Sequence, residues 1–240
     1  DNDFTSSGLA ATDQVTDTPT TNYCTLSLVA EIDTSFSDGN LNVVQFGVSA
    51  GNDEACAGTM FPTSGKWYWE VEVNGIATSY PKIGIMPDIS LWKLSDFAST
   101  PGRNILRSIA WSSNGAVEEC TALPSTYVSL ATYSTYANTD ILGIALDLDN
   151  GTLFFAKNNT WENSSDPAAG TNPVKTGLLS YGFGAVLGGD PGKGGDTNVD
   201  FGQLGFTYTP PTGFNALNTA NLATPTILDG TANFQPTLYT

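Results

Sequence analysis

The sequence predicts an all-β domain, folded as a sandwich or a barrel, and three observations support this prediction. Short stretches of strand-forming residues recur along most of the chain, separated by clusters of Gly, Pro, Asn and Asp. An Asn-Gly pair lies between two apolar runs, which is the strongest short-range signal for a β-hairpin. Apart from one helical turn expected within residues 87–97, no stretch has the periodicity of a long amphipathic helix.

The strand candidates follow one another at the short spacing that is typical of sandwiches and barrels. Besides the two strongest stretches, 64–73 and 140–157, they are residues 22–28, 41–48, 81–86, 107–113, 126–133, 181–187 and 197–201. A chain of 240 residues, of which 40% are hydrophobic, is long enough to bury one sizeable core of this kind.

SGKWYWEVEV, at residues 64–73, is the clearest strand. Because side chains alternate between the two faces of a strand, its apolar residues all fall on one face. These core candidates are Trp67, Trp69, Val71 and Val73, and Trp111 on another candidate strand is a further one.

The opposite face of this strand carries two acids, Glu70 and Glu72, whose Cα atoms are about 7 Å apart. Jelly-roll glycosidases place acids on alternate strand positions, so a polysaccharide-degrading enzyme is one functional alternative. Such enzymes usually have a third acid nearby, whereas Val73 and Asn74 follow here. We therefore expect both carboxylates to be solvated or paired at a sheet edge.

DILGIALDLDNGTLFFAKNN, from Asp140 to Asn159, predicts an antiparallel hairpin of residues 141–148 and 152–157. With Asn150 and Gly151 in a two-residue type I′ turn, Leu148 faces Leu153, and Asp147 faces Phe154 on the other side of the hairpin. Leu146, Leu148, Leu153 and Phe155 then share one face. The alternative, a calcium loop of the EF-hand type starting at Asp147, fails at three ligand positions, and we expect no metal here.

Composition excludes several classes of partner. Eight Lys plus Arg against 24 acids give a net charge of −16 at pH 7, which disfavours nucleic acid and anionic membrane surfaces. The chain contains no histidine, so the commonest general base is missing, and no Gly-x-Ser-x-Gly elbow is present. Neither a cofactor motif nor an apolar run long enough for a membrane span is present.

The three cysteines are far apart and form no metal-binding pair. One disulfide is an alternative, but the spacing favours three buried free thiols, Cys24, Cys56 and Cys120. The glycine-rich segment 188–196 lacks the residues of a phosphate loop.

The two ends of the chain lack strand periodicity over most of their length. We therefore predict an N-terminal arm at residues 1–21, a sandwich at 22–215, and a C-terminal arm or linker at 216–240. The way the chain starts and stops is typical of a piece of a longer protein.

Several motifs resemble, in the same order, the strands of a SPRY domain. They are SGKWYWEVEV, KIGIM, the 140–159 hairpin, YGFGAVL and VDFGQLGF, and the resemblance as a whole covers residues 39–206. The segments TDTPTTNYCTL and FTYTPPTGFNALNTANLATPTILDG further resemble the flanks of SPRY modules in structural proteins of tailed phages, many of them marine. The resemblance implies a bent two-sheet antiparallel β-sandwich of the concanavalin A type. It also implies protein recognition through loops and no shared catalytic centre.

Two tryptophans differ from the core candidates, because Trp92 and Trp161 lie among polar and charged neighbours. Exposed aromatic residues on loops mark contact surfaces, although each ring could instead fold back onto the edge of the sandwich. Together with Tyr181 they form the predicted binding set. Asn150, Asn158 and Asn163 begin glycosylation sequons, which would carry sugar only in a virus of eukaryotes.

The sequence therefore predicts a non-enzymatic recognition or scaffold module of a virion structural protein, at a tail, fibre or capsid-surface position. The expected partners are other virion proteins, further copies of the chain, or a host surface protein or glycan. A carbohydrate-binding module for host glycans, a polysaccharide-degrading enzyme and a SPRY adaptor of a cellular protein are the alternatives.

Overall fold

A computed structural model describes residues 17–18, 20–28, 35–44, 54–76, 81–88, 106–122, 126–178, 181–189 and 195–223. In chain order its strands are β1 (Leu26–Leu28), β2 (Ser35–Ser37), β3 (Asn42–Val44), β4 (Glu54–Gly58), β5 (Lys66–Ile76), β6 (Lys82–Pro87), β7 (Ile109–Ser112), β8 (Ala116–Ala122), β9 (Thr126–Thr132), β10 (Ile141–Asp147), β11 (Thr152–Lys157), β12 (Thr160–Trp161), β13 (Phe183–Gly189), β14 (Gly195–Asp200) and β15 (Asn215–Ala216). A short 3₁₀ turn spans Glu162–Ser164.

The strands form two sheets. The first has the order β1-β4-β13-β6-β7-β8-β9, and the second has the order β12-β11-β10-β5-β14-β3-β2. All pairings along these two paths are antiparallel, and β15 adds a short parallel pairing beside the start of β5. The predicted all-β, two-sheet antiparallel sandwich is confirmed.

The core lies between the sheets, as the alternation in β5 predicts. Trp67 and Trp69 are 2% and 1% exposed, Val71 and Val73 are fully buried, and Trp111 reaches them from the first sheet. The three cysteines are buried and unpaired, which confirms the prediction of free thiols. Burial raises the pKa of Cys24 to about 11, so this thiol stays protonated near neutral pH.

The 140–157 hairpin forms, but its turn differs from the predicted one. Asp147 lies opposite Thr152, so residues 148–151 make a four-residue loop instead of a two-residue turn. The Asp147 carboxylate accepts hydrogen bonds from the backbone N–H groups of Asp149 and Asn150, each at 3.0 Å. Only Gly151 in this loop has a positive φ, of 67°, whereas a type I′ turn needs two such residues.

The predicted register is wrong by two residues, which leaves the face of each side chain unchanged. Leu146 lies opposite Leu153, and Asp147 lies opposite Thr152 rather than Phe154. Leu148 is still buried in the core with Leu146, Leu153 and Phe155, as predicted.

Gly151→Val should lower the free energy of unfolding by about 1 kcal/mol or more, because a β-branched residue resists a positive φ. Urea denaturation measures this, with Thr160→Val on exposed β12 as the control. Unchanged stability would contradict the loop assignment.

Calcium should not raise the melting temperature of the wild-type protein, and a calcium-dependent rise would restore the metal-loop alternative.

Several residues lie in structural elements other than those that the sequence predicts for them. Gly188 and Gly189 continue β13, and Gly195 and Asp196 begin β14, so these glycines are strand residues rather than loop. Leu217, assigned by prediction to the C-terminal arm, is 1% exposed in the core, and Leu217 N–H donates to the carbonyl of Phe201. Residues 1–16, 89–105 and 224–240 lie outside the described part of the chain, and with them the expected helical turn and most of both arms.

Candidate functional site

The outer face of the second sheet is partly covered by the chain between β14 and β15, here called the covering segment (residues 202–214). β14 runs antiparallel to β5 and ends with Asp200 opposite Glu70. The chain then crosses the sheet and returns as β15, parallel to Trp67 and Tyr68 of the same strand. A surface whose acids the sequence predicted to be solvated or paired at a sheet edge is therefore partly enclosed.

Glu70 fixes the covering segment to the sheet. Its carboxylate accepts hydrogen bonds from the backbone N–H of Thr207 at 2.8 Å and of Tyr208 at 2.9 Å. The Tyr68 hydroxyl donates a third, at 2.8 Å. Glu70 is only 3% exposed, so the expectation that it is solvated or paired at an edge is wrong. Three donors therefore surround this carboxylate, as the burial of a strongly polar group requires.

A glycine on the neighbouring strand leaves room for the Tyr68 ring to lie against the sheet. A Cβ atom at Gly143 would lie 2.9 Å from the Tyr68 hydroxyl oxygen, so a larger residue there would push the ring away. Burial, together with the charge and hydrogen bond of Glu70, raises the pKa of Tyr68 far above its ordinary value of 10. The phenol therefore stays protonated and serves as a hydrogen-bond donor.

Aromatic residues occupy the half of this face next to Glu70. Tyr68, Ala145, Phe154 and Phe214 form a buried cluster, with Trp161 and Phe206 packed against it. The Phe206 ring meets Tyr68 edge-on at 5.0 Å between centroids, and Lys66 Nζ lies 5.7 Å from the Phe214 ring centroid. Phe206 and Phe214 belong to the covering segment, so apolar burial assists Glu70 in holding it down.

On the other side of Glu70 lies a pocket of about 190 Å³, here called the acidic pocket. Its lining residues are Glu70, Glu72, Ile141, Asn198, Val199, Asp200, Leu204 and Thr207. The antiparallel register places Asn198 opposite Glu72 and Asp200 opposite Glu70. Leu204 at its rim is 61% exposed, so the pocket opens to solvent there.

Asp200 ends β14 and caps the turn that begins the covering segment. Its Oδ1 accepts hydrogen bonds from the backbone N–H groups of Gly202 at 2.7 Å and Leu204 at 3.2 Å. Burial raises the pKa of Asp200 above its ordinary value of 3.8, although the N–H groups of Gly202, Leu204 and Gln203 partly counteract this.

The predicted binding residues are distributed over different places. Trp161 is partly buried on the outer face of the second sheet, 6.5 Å from the Tyr68 ring centroid, so it folds back onto the sandwich while part of it stays accessible. Tyr181 packs at the margin of the core, with the Arg107 guanidinium 4.7 Å from its ring centroid. Trp92 lies outside the described residues.

The structure also bears on the glycosidase alternative. It supplies the third acid that the local sequence lacks, because strand pairing places Asp200 beside Glu70. Both oxygens of Glu70 are, however, already engaged by donors of the covering segment and of Tyr68. No three acids in the described ranges are placed to ligate one metal ion. No helix among these residues is long and apolar enough to cross a membrane.

Comparisons with known proteins support the fold assignment. No family model matches the sequence, and no curated protein is significantly similar to it. Among solved structures, the crystal structure of the SPRY domain of human HERC1 superposes with a TM-score of 0.51 at 12% identity. The match covers 69% of this chain and 91% of that domain. The sandwich is therefore SPRY-like.

Proposed function

We propose that this chain is a non-enzymatic recognition and scaffold module of a viral structural protein, exposed on the virion at a tail, fibre or capsid-surface position. The observation that carries the recognition role is the SPRY-like sandwich, since SPRY domains typically serve protein interaction. The virion assignment rests on the resemblance of both flanking segments to those of phage modules. The partners are other virion proteins or copies of the chain, and host surface molecules are a further class.

The structure offers a physical reason for a binding role without catalysis. The outer face combines a partly accessible aromatic ring, Trp161, with an exposed apolar side chain, Leu204. Rings and apolar side chains of this kind supply most of the binding free energy at interfaces. Glu70, the best-placed acid for catalysis, is engaged in holding the covering segment.

Lysine-directed crosslinking of density-purified virus particles, followed by mass spectrometry, tests the assignment. We expect peptides of this chain in the particles, with Lys66 and Lys157 of the second sheet crosslinked to another virion protein or to a second copy. Both lysines are only 29% exposed, so a capsid-surface control peptide must be crosslinked in parallel. Absence of the chain from particles in which the control is recovered would overturn the assignment.

A carbohydrate-binding module for host glycans is the second candidate, favoured by the partly accessible Trp161 ring, because aromatic rings commonly stack on sugars. A glycan array separates the two candidates. Saturable glycan binding that Trp161→Ala abolishes, while Val128→Ala on the opposite sheet leaves it intact, would replace protein recognition by glycan recognition. No binding by the wild-type chain would eliminate this candidate.

A further inference from the structure

We propose that the acidic pocket receives an arginine side chain of a partner protein. The inference rests on the proposed recognition function and specifies the chemistry of the partner. At about 190 Å³ the pocket is smaller than the sites that usually hold drug-sized molecules, and its size suits one inserted side chain.

Charge complementarity selects a cationic side chain. Glu72 and Asp200 contribute carboxylates to the pocket, and no lining residue in the described part of the chain is basic. Lys66, Lys157 and Lys175 instead pair with Asp147, Asp140 and Glu119. The pocket therefore presents negative charge that is not neutralised by a lysine or arginine of its own lining.

The apolar walls select a side chain with an aliphatic stem. The side chain of Ile141 lines the pocket, and Leu204 is 61% exposed at the rim. The other large exposed hydrophobic side chains of the described residues, Leu106 and Val128, are 38% and 47% exposed. A stem of three methylene groups that covers Leu204 removes apolar surface from water while its charged end reaches the acids.

The distribution of acceptors favours a guanidinium over an ammonium group. Besides Glu70 and Thr207, the lining side chains with hydrogen-bond acceptors are Glu72, Asn198 and Asp200, on two neighbouring strands. A planar guanidinium has five N–H donors in a fork and can contact acceptors on both strands, whereas an ammonium is a compact point charge. A bare metal ion fits poorly, because no three acids of the described ranges are placed to ligate one.

Asn42 adds an independent observation on the adjacent strand. Its Oδ1 is buried without a hydrogen-bond partner, and Asn42 lies directly opposite Asn198. The Asn198 side-chain amide can accept a hydrogen bond from a guanidinium through its carbonyl while its N–H₂ donates to Asn42 Oδ1. A guanidinium that orients the Asn198 amide in this way would give the buried Asn42 Oδ1 a donor.

Titration of the ¹⁵N-labelled chain with N-acetyl-arginine amide tests this inference, with N-acetyl-citrulline amide as a neutral isostere of the same shape. We expect the arginine probe to shift the backbone amides of Glu72, Asn198 and Leu204, with a response that weakens as salt is added. The citrulline probe should leave these amides in place. Equal shifts from both probes, or shifts elsewhere only, would overturn the inference without any need for a variant.

A variant pair completes the test. Glu72→Gln should weaken binding of the arginine probe at least 10-fold, whereas Glu118→Gln, which removes the same charge from the first sheet, should not. Once a virion partner is known, its affinity for the Glu72→Gln variant should also fall, whereas its affinity for the Glu118→Gln variant should not. A partner that binds Glu72→Gln as tightly as wild type would sink the arginine inference and leave the proposed function standing. Lack of any virion partner would overturn the proposed function, while the probe titration would still show whether the pocket binds an arginine side chain.

Discussion

Glu70→Ala should lower the free energy of unfolding by about 4 kcal/mol and release the covering segment from the sheet. The substitution removes the acceptor of three hydrogen bonds and leaves the Tyr68 hydroxyl and the N–H groups of Thr207 and Tyr208 without a partner in a buried place. Urea denaturation measures the loss of stability. Relative to wild type, the substitution should accelerate hydrogen exchange more at residues 202–214 than in the core strands.

Glu72→Ala is the matched control, because Glu72 lies two residues further along the same face of β5 and is only partly buried. Its free energy of unfolding should stay within about 0.5 kcal/mol of wild type, as for ordinary surface substitutions. Equal destabilisation by both substitutions would contradict the structural role assigned to Glu70.

The same pair of positions decides the catalytic alternative. If the two acids formed a glycosidase centre, Glu70→Gln and Glu72→Gln would each abolish release of reducing sugar from host or algal polysaccharide. The structure leads to a different expectation, in which no such release occurs and only substitution of Glu70 affects stability. Sugar release that is lost in the Glu72 variant would restore the glycosidase.

The local pattern of the sequence predicted which face of a strand is buried in the core. It did not predict contacts between segments that are distant in the chain. The alternation of Trp67, Trp69, Val71 and Val73 is a short-range signal, and these four residues are buried as predicted. The proximity of Asp200 to Glu70 depends on the pairing of β14 with β5, more than a hundred residues apart in the chain. No local periodicity encodes that register, so neither the acidic pocket nor the burial of Glu70 could be read from the sequence.

Five of the described strands escaped prediction, and the two longest of them, β4 and β8, did so because their composition is unusual. β4 reads EACAG and has none of the β-branched and aromatic residues that mark most strands, and β8 reads AVEECTA and has only two, Val117 and Thr121. Residues 55–58 of β4 are nevertheless buried, since Cys56 packs in the main core and Ala55 and Ala57 pack with Met86 on the outer side. Small residues at these positions allow close packing on both faces of the sheet.

The predicted two-residue turn does not form, and the hydrogen bonds of the Asp147 carboxylate explain why. Asn-Gly favours a two-residue turn only when nothing competes for the backbone N–H groups of the loop. The Asp147 carboxylate competes, because it accepts from Asp149, from Asn150 and from the Lys66 ammonium at 2.9 Å. The Asn150 side-chain amide also donates to it, at 2.7 Å. A longer loop satisfies all these donors at once.

Asp147→Asn should therefore lower the free energy of unfolding by about 3 kcal/mol at pH 7, the lower end for breaking a buried ion pair, because Lys66 is still partly exposed. Asn keeps the size of Asp but turns an N–H₂ group toward donors, so at least one of them loses its acceptor. Asp147 is only 1% exposed, and water cannot easily replace the lost bonds. Urea denaturation measures the difference, with Glu118→Gln as a control for the change in net charge.

The effect of this substitution should depend on pH in one direction. Burial disfavours the charged carboxylate, but hydrogen bonds from Asn150 and Lys66 and the charge of Lys66 outweigh it and hold the pKa of Asp147 below its ordinary value of 3.8. A carboxyl whose pKa is lowered by folding contributes stability above the unfolded pKa and loses it as pH falls through the folded pKa. The gap between wild type and Asp147→Asn should thus be full at pH 5–7 and shrink below about pH 3.8. A gap that is constant with pH, or widens in acid, would show that the Asp147 charge does not stabilise this loop.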